Sequence, residues 1–319
     1  MKRIIFFATI VSLLSMNSFS TPYRKLSKFN RMEDMQYLHA VKKVHLPQSG
    51  YDIAYTDEGK GSKTIIFIHG LGSYLQAWTK NVEVLKNNYR CISIDLPGYG
   101  KSSKQPHSGQ MTFYAGIIDE LVKELGLNKV VLAGHSMGGQ ISITTSLLYP
   151  SIVEGLVLVA PAGFEPFHKG QKQWFRDVMT FDGVRLTTAE AIQNNLATNF
   201  YRVPKDAEFM ITDRLSMRTA DDFGAYCYAV VQSVNGMVDN PVIDYLKDIS
   251  VPTLILFGEN DNLIPNRYLN PGRTVDIAKH GASKIKNSKL VMVPKCGHFM
   301  MFEKFEVFNR EVLDFIKTK

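Results

Sequence analysis

Between Val44 and Leu158, short apolar runs rich in β-branched residues alternate with amphipathic segments, and this alternation constrains the chain more than any other feature. A strand covered on both faces reads as a continuous apolar run, whereas a helix lying on a sheet shows one apolar stripe. Repeated strand–helix alternation predicts an α/β fold, a mostly parallel sheet flanked by helices. Strands are expected at Tyr51–Thr56, Thr64–His69, Cys91–Asp95, Val130–Gly134 and Gly155–Val159. The clearest helix runs from a Thr112 cap to Leu125, with Phe113, Ile117, Leu121 and Leu125 on one face and Gly126 as its stop.

The alternation lapses after Pro161-Ala162-Gly163 and resumes at the strand-like run Val251–Gly258. The stretch between is rich in helix formers and polar residues, with scattered aromatics such as Trp174, Phe175, Phe181 and Tyr201. It reads as a helical insertion. A last strand, Lys289–Val293, and a helix with Phe305, Phe308, Val312 and Phe315 on one face close the chain. The expected organisation is a leader over 1–20, a core made of 21–163 and 251–319, and a cap over 164–250.

The leader has Lys2 and Arg3, an apolar run from Ile4 to Leu14, and then small residues at Ser18 and Ser20. That pattern predicts a cleavable signal peptide, a mature chain starting near Thr21, and an exported protein, periplasmic or secreted. The run is too short for a membrane span. Lys plus Arg number 37 against 30 Asp plus Glu, with no run of five like charges, which argues against a nucleic-acid partner. Peripheral contact with an anionic membrane is compatible with this mild basicity, although a solvated surface is the simpler account. Three cysteines without CxxC spacing suggest neither a zinc site nor a disulfide framework, and pairing of Cys227 with Cys296 stays open. The sequence gives no sign of oligomeric state.

The chemistry is concentrated at Gly134-His135-Ser136-Met137-Gly138, which follows the strand Val130–Ala133 and precedes a helical run. The glycines permit a tight strand-to-helix turn that lifts the Ser136 hydroxyl to the carboxyl edge of the sheet, where the helix amides favour negative charge. A neutral hydroxyl needs a base, and the base needs a carboxylate on its other nitrogen. His298, just beyond the last strand, and Asp261, just beyond the strand Thr253–Phe257, stand at the same rim, with Glu259 as the reserve acid. His69 in His69-Gly70-Leu71-Gly72 reads as a loop-bracing residue. His39, His45, His107, His168 and His280 read as solvated or structural. The backbone amides of Leu71 and Met137 are the candidate oxyanion donors.

With Asp95-Leu96-Pro97-Gly98-Tyr99-Gly100-Lys101-Ser102 added to these motifs, the chain resembles the α/β-hydrolases that carry a helical cap between the sixth and seventh core strands. The resemblance runs from about Tyr51 to the C-terminus. It implies a Ser136–His298–Asp261 triad, in the chain order usual for that fold, with no metal and no organic cofactor. Relatives with an Asp nucleophile, such as haloalkane dehalogenases and epoxide hydrolases, are disfavoured by Ser136. The leader and the elbow are similar to those of bacterial lipases and carboxylesterases, while carbon–carbon hydrolases of the group usually place Asn where His135 stands. The expected activity is therefore hydrolysis of small-molecule or lipid carboxylic esters, with Trp174, Phe175, Met179 and Phe181 as an apolar acyl wall or as cap packing. A carbon–carbon or thioester hydrolase on the same triad is the alternative. A non-catalytic ligand-binding homologue is a third.

Overall fold

The computed structural model describes residues 26–317. The core alternates as the sequence predicts: β1 (Lys42–Leu46), β2 (Tyr51–Glu58), β3 (Thr64–Ile68), α1 (Thr79–Leu85), β4 (Arg90–Ile94), α2 (Met111–Glu124), β5 (Val130–His135), α3 (Met137–Leu148) and β6 (Val153–Val159). Helices α4 (Lys169–Val178), α5 (Phe181–Arg185), α6 (Ala189–Thr198), α7 (Glu208–Ser216) and α8 (Phe223–Asp239) then intervene. The core resumes with β7 (Thr253–Gly258), α9 (Thr274–Lys284), β8 (Ser288–Val293), α10 (Met300–Glu303) and α11 (Phe305–Lys317).

The eight strands lie in the order β1-β2-β4-β3-β5-β6-β7-β8. The pairs β1–β2 and β2–β4 are antiparallel and the others are parallel. Because side chains alternate across a strand, each central strand feeds two cores. Ile66, Leu132, Leu156 and Ile255 enter one, while Ile65, Val131, Val157 and Leu254 enter the other. From β3 the chain steps one way, to β4, and from β5 it steps the other way, to β6, so strand order reverses between β3 and β5. A crevice opens at the carboxyl ends of strands at such a switch point.

Two local expectations are corrected. Strand β1 is absent from the predicted set because Lys42, Lys43 and His45 make it an exposed edge strand without an apolar run. Gln110 occupies the N-cap position of helix α2 without a side-chain capping bond, and Thr112 is an exposed first-turn residue. Its buried stripe is also broader, since Tyr114, Ile118 and Val122 join Ile117 and Leu121. Gly126 follows with φ +62°, a left-handed stop. Cys91, Cys227 and Cys296 are buried free thiols, so Cys227 and Cys296 are not paired.

Between β4 and α2, His107 is buried against Phe113 at 5.0 Å between ring centres. Its Nε2–H donates to Pro97 O (3.1 Å) and its Nδ1 accepts from Gly109 N–H (3.1 Å). A second ring proton would face that amide, and burial pushes the imidazole down from 6.5 to about 4. Above about 6.5 the ring is neutral folded or unfolded; below it the unfolded chain takes the proton first, so stability falls as pH drops toward 4. This site is expected to remove about 2 kcal/mol of folding free energy between pH 7 and pH 5. Urea unfolding checks it: His107→Gln is expected to show a shallower loss over that interval than the parent chain.

Candidate active site

Ser136 joins β5 to α3 with φ 54° and ψ −116°, a backbone region that costs a non-glycine residue on the order of 1–3 kcal/mol. The surroundings hold it there. Ser136 N–H donates to Val159 O (2.9 Å), and Ser136 O accepts from Gly139 and Ala162 N–H (2.9 and 3.0 Å). A methyl on Gly134 would lie 2.2 Å from Gly138 O, and one on Gly138 would lie 2.2 Å from Ile68 O, so only glycine lets the turn close this tightly. The elbow stands at the β3–β5 switch point, and Ser136 is half-buried.

The loop after β3 lies against it. A methyl on Gly70 would be 3.2 Å from Ser136 Cβ, which puts Leu71 next to the nucleophile candidate, while Met137 opens α3. First-turn amides such as that of Met137 have no acceptor within their own helix. Buried His69 braces this loop: its Nε2 accepts from Leu96 N–H (3.1 Å) and its Nδ1–H donates to Gly70 O (2.8 Å). Burial lowers its pKa, so the ring is a neutral strut.

Asp261 and His298, from the loops after β7 and β8, meet with Nδ1 of His298 2.7 Å from Oδ2 of Asp261, both buried. Oδ1 of Asp261 accepts from Leu263 and Ile264 N–H (2.7 and 3.1 Å), so the carboxylate is fully engaged. Glu259 is exposed and makes no such contact. His298 is tied to the elbow through His135, whose Nε2–H donates to His298 O (3.1 Å), with the two rings 4.7 Å apart. Burial, then the neighbouring His298, holds the His135 pKa well below its usual value; its Nδ1 is buried without a partner.

The remaining histidines take ordinary roles. His45 pairs with Asp52, His39 sits between Glu58 and Glu83, His168 caps α4 and His280 is exposed. Trp174 and Phe181 leave 37% and 42% of their surface in solvent, which does not suit a closed acyl wall. Met179 packs on the core and Phe175 on Trp174 and Phe167.

Sequence reasoning missed Arg214. From α7 its Nη1 donates to Gly72 O (3.1 Å), in the loop that meets Ser136, and its guanidinium stands 4.7 Å from the ring centre of Tyr226. The Tyr226 hydroxyl donates to the same carbonyl (3.2 Å). Among the described residues no carboxylate pairs with Arg214, and its neighbour Asp213 is bonded to Tyr74. Burial pulls the guanidinium down to about 10, although part of the side chain remains accessible.

A family model described as "alpha/beta hydrolase fold" matches residues 63–305. A 2-hydroxy-6-oxononadienedioate/2-hydroxy-6-oxononatrienedioate hydrolase of Pseudomonas putida is 29% identical, covering 83% of this chain and 92% of its own. The hydrolase of the same name from Escherichia coli K12 is 28% identical, covering 83% and 90%. A probable hydrolytic enzyme from Pseudomonas aeruginosa PAO1 superposes with a TM-score of 0.79 at 26% identity, over 90% of this chain and 97% of its own. An esterase from Exiguobacterium antarcticum, at TM-score 0.73 and 23% identity over 87% and 100%, shares the fold.

These relatives overturn one expectation. The signal-peptide reading of residues 1–20, which lie outside the described residues, led to an exported protein, periplasmic or secreted. Relatives matched over nine-tenths of their length are instead 2-hydroxy-6-oxononadienedioate hydrolases, and export is withdrawn. A charged start with a short apolar run is a compositional signal only. Matched by the family model across most of its length and built on the same sheet as solved hydrolases, the chain is a hydrolase and belongs to the α/β-hydrolase family.

Proposed function

We propose that the chain hydrolyses a carbon–carbon bond beside a ketone in a small, carboxylate-bearing substrate, the alternative drawn from the sequence rather than the ester reading. The observation that carries it is Arg214, a partly buried cation without a carboxylate partner among the described residues, beside the loop that meets Ser136. A buried unpaired charge is costly unless something anionic arrives to pair with it. The relatives' names specify a dioate, a substrate of that charge.

In this reading the segment 164–250 is the cap that supplies Arg214, and 21–163 with 251–319 is the core. His298, oriented through Nδ1 by Asp261, takes the Ser136 proton as the hydroxyl oxygen attacks the ketone carbon. The amides of Leu71 and Met137 hold the oxyanion. When the oxyanion collapses, the carbon–carbon bond breaks and its electron pair goes to the leaving carbon, which takes the proton back from His298. That carbanion needs a conjugated sink, and a carboxylate at the end of the sink needs a cation. Water deprotonated by His298 then releases the acyl group from Ser136.

The test is kcat/KM for 2-hydroxy-6-oxononadienedioate beside p-nitrophenyl esters from acetate to palmitate and an acyl thioester. The diketone acid is expected to exceed every ester by about 100-fold, the scale set by pairing or not pairing one buried charge. Faster turnover of any ester or of the thioester would return the assignment to that bond.

A further inference from the structure

The carboxylate of Glu303, at the end of α10, accepts three backbone amides from two separate segments. Its Oε2 takes Gly297 N–H (2.8 Å) and Tyr201 N–H (3.0 Å), and its Oε1 takes Arg202 N–H (2.8 Å). Gly297 precedes His298, whereas Tyr201 and Arg202 follow α6 among the inserted helices. A second clamp lies on the other side of the histidine, where Phe299 N–H donates to Asn199 O (3.0 Å). The two segments are pressed together: a methyl on Gly297 would lie 2.6 Å from Asn199 O, and Phe200 packs on Phe299 at 5.5 Å. Both peptide neighbours of His298 are thus held to one strap, 199–202, Phe299 directly and Gly297 through Glu303. A single helical turn, Lys205–Ala207, separates that strap from α7 and Arg214.

We propose that Glu303 is a positioning residue that couples the seat of the strap to the alignment of His298; this rests on His298 being the base. A carboxylate offers acceptors to all three amides at once, and charge-assisted bonds of this kind fix distances well. Glutamine keeps one acceptor oxygen and turns N–H groups toward an N–H donor, so the strap separates from the histidine loop while the charge is lost. Aspartate keeps the charge but is one methylene short. A substrate held by Arg214 loads the same piece of chain that holds the base, so binding and base alignment act through one strap.

Glu303→Gln is expected to lower kcat, and the rate of fluorophosphonate labelling at Ser136, by about 10- to 100-fold, the scale of an ångström-sized misplacement. KM is expected to change by less than kcat, since the substitution touches neither Arg214 nor Ser136. The low-field Nδ1 proton signal of the His298–Asp261 bond is expected to broaden, a change that loss of stability alone would not produce below the melting transition. Glu303→Asp is expected to fall between the parent and the Gln variant. A folded Glu303→Gln protein with parental labelling rate and kcat overturns the proposal, as does a change confined to KM. If the Gln variant does not fold, parental rates in Glu303→Asp overturn it. His298→Ala separates the two levels of inference: if it labels as fast as the parent, the catalytic reading itself fails, whereas if it is inert while Glu303→Gln is unaffected, only the strap is refuted.

Discussion

Ser136→Ala and His298→Ala are each expected to lower turnover by about 10⁴-fold or more, and the double variant is expected to lose no more than the worse single one. The non-additivity follows from the roles proposed for the two residues. The hydroxyl has no nucleophilic strength without the base, and the base has nothing to deprotonate without the hydroxyl. Asp261→Asn is expected to be severe too, for a structural reason. Oδ1 of Asp261 is engaged by Leu263 and Ile264 amides, so the amide nitrogen of Asn would be placed at Oδ2, facing His298 Nδ1. An N–H there would force His298 into the tautomer that protonates its other nitrogen, the one needed to accept the serine proton. Glu259→Gln is expected to be silent, since Glu259 is exposed. Single-turnover kinetics and fluorophosphonate labelling check all five variants. A damaging Glu259→Gln with a mild Asp261→Asn would move the acid. Labelling of the parent chain also separates an enzyme from a ligand-binding homologue, which has no need for an activated serine.

The features legible in the sequence are those that short stretches of chain determine. The elbow at Ser136 announces itself because its glycines, its strand and its helix are contiguous, and the close approaches of Gly134 to Gly138 and of Gly138 to Ile68 explain why those residues are present. The candidates Asp261 and His298 are reached by position, since residues just beyond parallel strands share one rim, and the structure brings the two within 2.7 Å. What escaped was set by packing between distant segments. Arg214 lies in Thr212-Asp213-Arg214-Leu215, where a charged residue on a helix normally reads as a solvated face. Only the folded chain sets it against Gly72 and turns its neighbour Asp213 to Tyr74 instead. Glu303 likewise looks like an ordinary helix-end carboxylate until Tyr201 and Arg202 are brought to it. In the sequence His135 is a clue to bond type, yet the structure gives it a different job, holding the His298 carbonyl. The ester reading leaned on the leader, on His135 and on the aromatics from Trp174 to Phe181. Export is withdrawn, His135 has a structural explanation, and Trp174 and Phe181 leave 37% and 42% of their surface exposed.

Arg214→Gln is expected to lower kcat/KM for 2-hydroxy-6-oxononadienedioate by about 10²–10³-fold, because a carboxylate left unpaired in a desolvated site costs roughly 2–5 kcal/mol. The side chain is still a cation at neutral pH, since about 10 lies well above it. Arg214→Lys is expected to rescue little: an ammonium cannot donate to the Gly72 carbonyl and grip a carboxylate with a planar fork in the way a guanidinium does. The companion measurement is stability. Burial lowers the guanidinium from 12.5 to about 10, so carrying the charge without an acid costs the free protein roughly 3 kcal/mol at most. Arg214→Met, which keeps an unbranched side chain, is therefore expected to melt at the same temperature or higher than the parent while losing the diketone acid. A slowly processed dicarboxylate analogue is expected to raise the melting temperature of the parent but not of this variant, because only the parent has a cation for it to neutralise. If Arg214→Met instead melts well below the parent and keeps its preference for the dicarboxylate over the corresponding methyl ester, the guanidinium is a strut for the Gly72 loop and the substrate's charge is read elsewhere.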